Sequence, residues 1–222
     1  MKQALCAEAL GTLFLVMTVV GSGIMADQLS GGIDGLALIG NTLATGAMLV
    51  VLISILGPVS GAHFNPAVTF TLYLAKEISA PLALGYILSQ ICGGLTGTIL
   101  AHLMFDLPLV QIATTNRVGL PLYCAEFIAT AGLLSVIFIG RAHCPSSLPL
   151  LVGLYISAGY WFTSSTSFAN PAVTLARMFT DSFSGIAPPA VLFFIIVQLL
   201  AAWPVYKFST WLTSSQNTDN QG

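Results

Sequence analysis

One pentapeptide occurs twice in this chain, and each copy sits in a segment too short to cross a bilayer. Asn65-Pro66-Ala67-Val68-Thr69 is answered by Asn170-Pro171-Ala172-Val173-Thr174. The duplication reaches further. Cys6-Ala7-Glu8 opens one apolar run and Cys124-Ala125-Glu126 opens another, while Gln90 is matched in the same order by Gln198. Three matches in the same order mark an internal repeat, with one unit over about residues 1–105 and a second over about 121–208.

The surroundings of the repeat decide its solvent. Of 222 residues, 56% are hydrophobic and 6% charged, with a mean hydropathy of +0.91. A soluble domain carries about a quarter charged residues, so no water-facing surface is covered here. A hydrocarbon core of about 30 Å needs roughly 20 apolar helical residues. Six stretches meet this: 4–26, 36–56, 81–105, 121–140, 148–165 and 186–208. The expectation is an all-α integral membrane protein with six transmembrane helices in a single membrane domain, 1–208. The run after Lys2 resembles a signal peptide, but Glu8 interrupts it and it continues past Val20, which reads as a first span. The tail over 209–222, rich in Ser, Thr, Asn and Gln, reads as a disordered cytoplasmic end.

A net charge of −2 with no basic run excludes a nucleic-acid partner and leaves the lipid bilayer. Lys2, Lys76, Arg141 and Lys207 fall on one side of six spans, and Arg117 and Arg177 on the other. The positive-inside rule then places both termini in the cytoplasm of a multi-pass protein of the inner (plasma) membrane. Cys6, Cys92, Cys124 and Cys144 lack metal-ligand spacing and read as small packing residues, so no metal is expected.

Three spans per repeat is an odd number, so the second repeat enters the membrane inverted. The leftover segments, 57–76 and 166–181, must therefore dip in from opposite faces as re-entrant half-helices. Asn is a favoured N-cap and Pro is favoured at the first helical position. Helices from Pro66 to about Ala75 and from Pro171 to about Thr180 have about ten residues, or about 15 Å, half the core thickness. They meet N-terminus to N-terminus, where the dipoles repel cations and the Asn amides can donate to a neutral oxygen. An isolated Asn-Pro pair is ordinarily a turn start. Two in register within a repeat make Asn65, Pro66, Ala67, Asn170, Pro171 and Ala172 the motifs of a pore, with the asparagine amides facing its lumen.

Glu8 and Glu126 are ionisable residues within apolar spans, which reads as functional by default. Their symmetric placement favours acceptors for the irregular backbone before each half-helix over a proton relay. His63 is expected in the inner vestibule, His102 and His143 near the interface, and Tyr160, Trp161 and Phe162 in an aromatic belt. Gly93, Gly94 and Gly97 suit close helix packing.

At these residues the chain resembles the major intrinsic protein family, the aquaporins and glycerol facilitators. The resemblance covers nearly the whole chain and implies a passive channel, a homotetramer with one pore per subunit, no cofactor and no enzymatic activity. By offset from the motifs, the family's four-residue constriction falls on Thr45, Ala158, Ser167 and Val173, with Gly159 a rival for Ala158. Water-selective members have a large aromatic, a histidine and an arginine there. This sequence departs at all three, with Val173 in the arginine's place and Thr174 where glycerol facilitators usually have aspartate. A wider, more apolar filter implies water, glycerol-like polyols and other small neutral molecules as permeants. The run Val173-Thr174-Leu175-Ala176-Arg177 also looks like that of bacterial aquaporins associated with arsenic resistance, which suggests arsenous acid.

Arg177, one turn beyond Val173, is a candidate vestibule charge in place of the lost arginine, or else a surface partner of Asp181. The competing readings are a strict water channel and a secondary transporter. A transporter needs a coupling-ion carboxylate near the midplane, and the two dipping segments hold no Asp or Glu until Asp181. An enzyme would need an acid–base cluster, and His63 stands alone.

Overall fold

The computed structural model describes residues 1–214. In chain order the helices are α1 (Lys2–Leu29), α2 (Asp34–Ser60), short α3 (Pro66–Leu74), α4 (Ala80–Met104), α5 (Leu120–His143), α6 (Leu148–Phe162), short α7 (Pro171–Arg177), α8 (Pro188–Leu200) and α9 (Ala202–Ser214). Among the described residues there is no strand.

Helices α1, α2, α4, α5 and the unit Pro188–Ser214 are long and apolar enough to cross a membrane. Helix α6 has 15 residues, shorter than the expected 148–165. It stops because Thr163 turns extended (φ −107°, ψ 136°) and its hydroxyl bonds back to the Gly159 carbonyl at 2.7 Å. The sixth span breaks between Leu200 and Ala202. Pro204 lies four residues after Leu200, lacks an N–H and crowds that carbonyl. The expected disordered tail also begins too early: Ser209–Ser214 continue α9, and 215–222 lie outside the described residues. Six crossings put both ends of the bundle on one face, called here the terminal face.

The two repeats pack alike. Helix α1 lies against α2 and α4, while α5 lies against α6, α8 and α9. Gly93 and Gly97 let α4 approach α1 so closely that a Cβ at either would run into the backbone carbonyl of Ala9 or Leu13. Between the repeats α2 meets α6, where a Cβ on Gly153 would stand 2.7 Å from the Gly46 carbonyl oxygen. Close backbone approach of this kind is how helices associate where lipid removes the hydrophobic drive. Each short helix is held by the third spans of both repeats: α3 by α4 and α9, α7 by α4 and α8.

The outward surface carries Leu43, Ile55, Leu84, Leu154, Leu192 and many other exposed apolar side chains, which suits lipid rather than water. All four cysteines face outward too, so the expected packing role is wrong for them. His102 departs in the opposite sense. Rather than lying at the interface it is fully buried, with Nδ1 3.0 Å from the Leu109 carbonyl and Nε2 2.8 Å from Thr180 Oγ1. It joins α4 to the loop after α7. His143 is exposed.

Candidate functional site

Both short helices start on an asparagine cap. Asn65 (φ −155°, ψ 117°) accepts the Ala67 N–H on its side chain at 2.9 Å. Asn170 (φ −158°, ψ 113°) accepts those of Ala172 and Val173 at 2.9 and 3.3 Å. Proline follows each cap at a position whose N–H has no helical partner. Helix α3 runs nine residues and α7 only seven, so α7 falls short of the expected Thr180. There the backbone leaves the helix to pair with the α4–α5 connection: the Ala113 and Gln111 N–H groups donate to the Met178 and Phe179 carbonyls.

The chain ahead of each cap is held in a conformation L-residues seldom adopt. Ala62 (φ 51°) and Phe64 (φ 48°) have their counterparts in Ser167 (φ 52°) and Ala169 (φ 48°). Such residues cost about 1–3 kcal/mol each and persist only when their surroundings hold them. Two buried carboxylates do this. Glu8 accepts the His63 and Phe64 N–H groups at 2.9 and 2.7 Å; Glu126 accepts those of Phe168 and Ala169 at 2.8 and 2.9 Å. Gln90 donates to Glu8 and Gln198 to Glu126, each at 2.7 Å, and each amide also reaches the threonine four residues after its asparagine. Ser60 adds a further donor to Glu8 at 2.6 Å. Charge-assisted bonds of this kind are about twice as strong as neutral ones. With this many donors, each carboxylate fixes backbone.

The two loops meet at the asparagines. Asn65 Nδ2 donates to the Ala169 carbonyl and Asn170 Nδ2 to the Phe64 carbonyl, at 2.7 and 2.8 Å. An amide NH2 has two hydrogens, so one on each asparagine is left for the space they line.

That space is a cavity of about 320 Å³ running from Glu77 and Arg141 near the terminal face, past His63 and both asparagines, to Tyr160 and Arg177. Thr45, Ser167 and Val173 line it. Ala158 does not: it is exposed on the outside of α6, and Gly159 packs against Ser167. Tyr160 takes the place on the wall, its hydroxyl 3.3 Å from Thr45 Oγ1. The aromatic-belt expectation therefore fails for Tyr160, which is buried, whereas Trp161 and Phe162 are exposed. The signal that finds Tyr160 is helical spacing: Val152, Ile156 and Tyr160 recur every four residues and all line the cavity. Ser167 Oγ is buried and has no hydrogen-bond partner among the described residues. His63 lines the terminal half, Nδ1 3.0 Å from Thr69 Oγ1 and its ring edge-on to Tyr86.

Arg177 lines the far end, and Asp181 is not its partner. Its Nε donates to the Ser184 carbonyl and its guanidinium lies 3.5 Å from the centre of the Phe168 ring. Asp181 instead accepts from the Thr114 N–H and hydroxyl, both at 2.9 Å, and these bonds hold its carboxyl below the ordinary carboxylate value. A second, half-buried arginine, which the sequence marks only as a loop charge, joins Arg177. Arg117 donates Nε to the Gly185 carbonyl at 3.0 Å and Nη1 to the Ser165 carbonyl at 3.2 Å, 5.0 Å from the same ring. At the terminal end Arg141 pairs with Glu77 at 2.6 Å, half exposed. Among the described residues no three His, Cys, Asp or Glu side chains converge in a way that would hold a metal.

The family model described as major intrinsic protein matches residues 1–167. The chain is 52% identical over 206 residues to aquaglyceroporin AqpS of Rhizobium meliloti (strain 1021), covering 93% of this chain and 88% of that one. It is 39% identical over 197 residues to the lens fiber major intrinsic protein of Gallus gallus, covering 81% and 70%. Among solved structures it resembles the aquaglyceroporin from Plasmodium falciparum, with a TM-score of 0.68 at 20% identity over 96% of both chains, a likeness of fold.

Proposed function

Because this chain belongs to the major intrinsic protein family, we propose that it is a passive channel for water and small uncharged hydroxylated solutes, glycerol-like polyols first among them. The observation that carries the proposal is the two-sided character of the wall near its far end. Thr45, Tyr160 and the unpartnered Ser167 supply hydroxyls, while Val173, Ile156 and Phe168 supply apolar surface. A polyol has the same two sides, a hydroxyl edge and a C–H edge. An orphaned buried hydroxyl costs about 1–3 kcal/mol, and a passing solute hydroxyl relieves that cost. The name of the Rhizobium meliloti relative, an aquaglyceroporin, supports the same solute class.

Val173 in the arginine's usual position argues for a filter that is wider than in a strict water channel. Arsenous acid, a neutral polyhydroxyl molecule similar in size to glycerol, is a further proposed permeant on the resemblance of Val173–Arg177. Arg177 is the proposed vestibule charge. The setting is a bacterial plasma membrane, with a homotetramer as the assembly and the terminal face in the cytoplasm, where Lys2, Lys76, Arg141 and Lys207 satisfy the positive-inside rule.

The rival reading as a secondary transporter needs a free carboxylate beside the solute path; Glu77, which lines the cavity, is paired with Arg141, and Glu8 and Glu126 are both taken up by backbone and amide donors. Labelled glycerol uptake into proteoliposomes separates the two. A channel gives flux that rises linearly with concentration and ignores imposed proton and sodium gradients. Saturation together with dependence on either gradient would favour the transporter.

A further inference from the structure

Where the repeat symmetry fails at His63 and Phe168 beside the cavity, the failure is electrical. His63 and Phe168 are equivalents, each two residues before its asparagine cap, and each donates its N–H to the buried glutamate of its repeat. Around His63 the neighbours are a threonine hydroxyl and a tyrosine ring. Around Phe168 stand two guanidinium groups, Arg177 at 3.5 Å and Arg117 at 5.0 Å from the ring centre. An aromatic face attracts a desolvated cation, and arginine most readily.

Neither arginine has a carboxylate within ion-pair distance among the described residues, and the Glu126 carboxylate, whose charge reaches both, is committed to backbone and amide donors. Among the described residues the one ion pair is Arg141 with Glu77, at the other end of the cavity. Arg117 and Arg177 bond only to carbonyl oxygens, and two of these are consecutive, Gly185 and Ser184. The loop between α7 and α8 thus grips both side chains at once. It is stitched to the α4–α5 connection, which carries Arg117, by the bond from the Ala187 N–H to the Thr115 carbonyl. Holding a buried and a half-buried guanidinium together with no direct ion pair is costly, and such groups mark a function.

We propose that Arg117 and Arg177 together supply the positive charge that excludes protons and other cations at the far mouth of the pore, with Arg117 acting from behind the wall as a specificity-determining residue. This rests on the channel reading above. Arg177 faces the cavity, whereas Arg117 does not line it. Its charge acts through the field and by holding Phe168 and the α7–α8 loop against Arg177. The arginine missing at Val173 is thereby replaced from two other places, one of them in the connection between the repeats, where the duplicated sequence leaves no trace.

The test uses the full chain in proteoliposomes and reads two quantities separately. Glycerol flux is followed by light scattering, and proton leak by an internal pH dye under a potassium–valinomycin clamp. Arg117→Gln keeps amide donors for the carbonyls while removing the charge, and Arg117→Lys keeps the charge. The expected result is glycerol flux within about twofold of the parent in both, with proton leak raised roughly tenfold in Arg117→Gln and unchanged in Arg117→Lys. Leak at parent level in an Arg117→Gln channel that still conducts glycerol would overturn the proposal, as would equal leak in both variants. If Arg117→Gln does not fold, Arg117→Met carries the same comparison. A parent that conducts no glycerol would instead count against the channel reading, and that outcome is visible before any variant is made.

Discussion

Asn65 and Asn170 are tied crosswise: each caps the half-helix of its own repeat and donates its amide to the loop of the other, at 2.7 and 2.8 Å. The bonded carbonyls belong to Ala169 and Phe64, the residues immediately before the opposite caps. Losing either asparagine therefore loosens both loops, because the remaining one loses a fixed acceptor.

This relationship is testable as a coupling. Asn65→Ala and Asn170→Ala each remove a cap and a buried hydrogen bond, a loss of about 1–3 kcal/mol apiece. The double variant is expected to lose less than the sum, by about 0.5–2 kcal/mol. Chemical unfolding in detergent measures it. Strict additivity would show that the two loops do not depend on each other.

The buried carboxylates make a sharper demand. Glu8→Gln turns one acceptor oxygen into a donor facing N–H groups that it now cannot accept, and Glu126→Gln does the same in the second repeat. Hydrogen bonds to charged groups are worth about 1.5–3 kcal/mol each. Both variants should unfold more readily than Asn65→Ala and give less monodisperse protein. A Glu8→Gln channel as stable as the parent, with altered pH dependence of flux, would return the carboxylate to a proton-handling role.

What the sequence made legible follows the repeat. The cap and the glutamate each occur once per repeat, so their roles can be reasoned from symmetry; the glutamines mark the repeat, but their bonds to the glutamates are not legible in it. Gly93 and Gly97 of α4 are readable as close-packing positions because small residues are what a lipid-embedded helix contact needs. Residues outside the duplication are not. Arg117 sits in the connection between repeats, where nothing in its neighbourhood announces burial against Phe168. Tyr160 precedes Trp161 and Phe162, and a run of three aromatics at a helix end looks like a membrane-interface belt until its four-residue spacing from Ile156 is noticed. Offset from the motif points to Ala158. The offset fails because α6 stops at Phe162 and the extended chain after it re-sets the angle at which the helix faces the cavity.

Val173 is the residue on which solute size turns. Val173→Arg puts a long cation into a wall it shares with Thr45, Tyr160 and Ser167. Glycerol permeability is expected to fall at least about tenfold, while water permeability falls less, because a narrower and more charged constriction still passes single water molecules. Stopped-flow measurement of both on one preparation checks this. Equal loss of both would mean that the substitution blocks or unfolds the pore and that Val173 does not set its selectivity.

The far mouth carries a pH signature outside the membrane-spanning segments. Bonds from Thr114 hold the exposed Asp181 carboxyl below its ordinary value of 3.8. A depressed carboxylate contributes its stabilisation above the unfolded value and loses it as pH falls through the folded one. Exchange protection of the Thr114 amide, corrected for intrinsic rate, should hold from neutral pH down to about pH 4 and decline only below that. In Asp181→Asn the protection should be weaker near neutrality and insensitive to acid. Protection that already fades near pH 6 would assign the tie to another group.

The most direct test of the channel account is stopped-flow light scattering of proteoliposomes carrying the full chain, challenged first with sucrose and then with glycerol. The account predicts fast shrinkage in sucrose and, in glycerol, shrinkage followed by rapid reswelling well above the rate of empty vesicles. Fast shrinkage with reswelling no faster than in empty vesicles would make the protein a water channel and contradict the reading of Val173 and of the hydroxyl-lined wall.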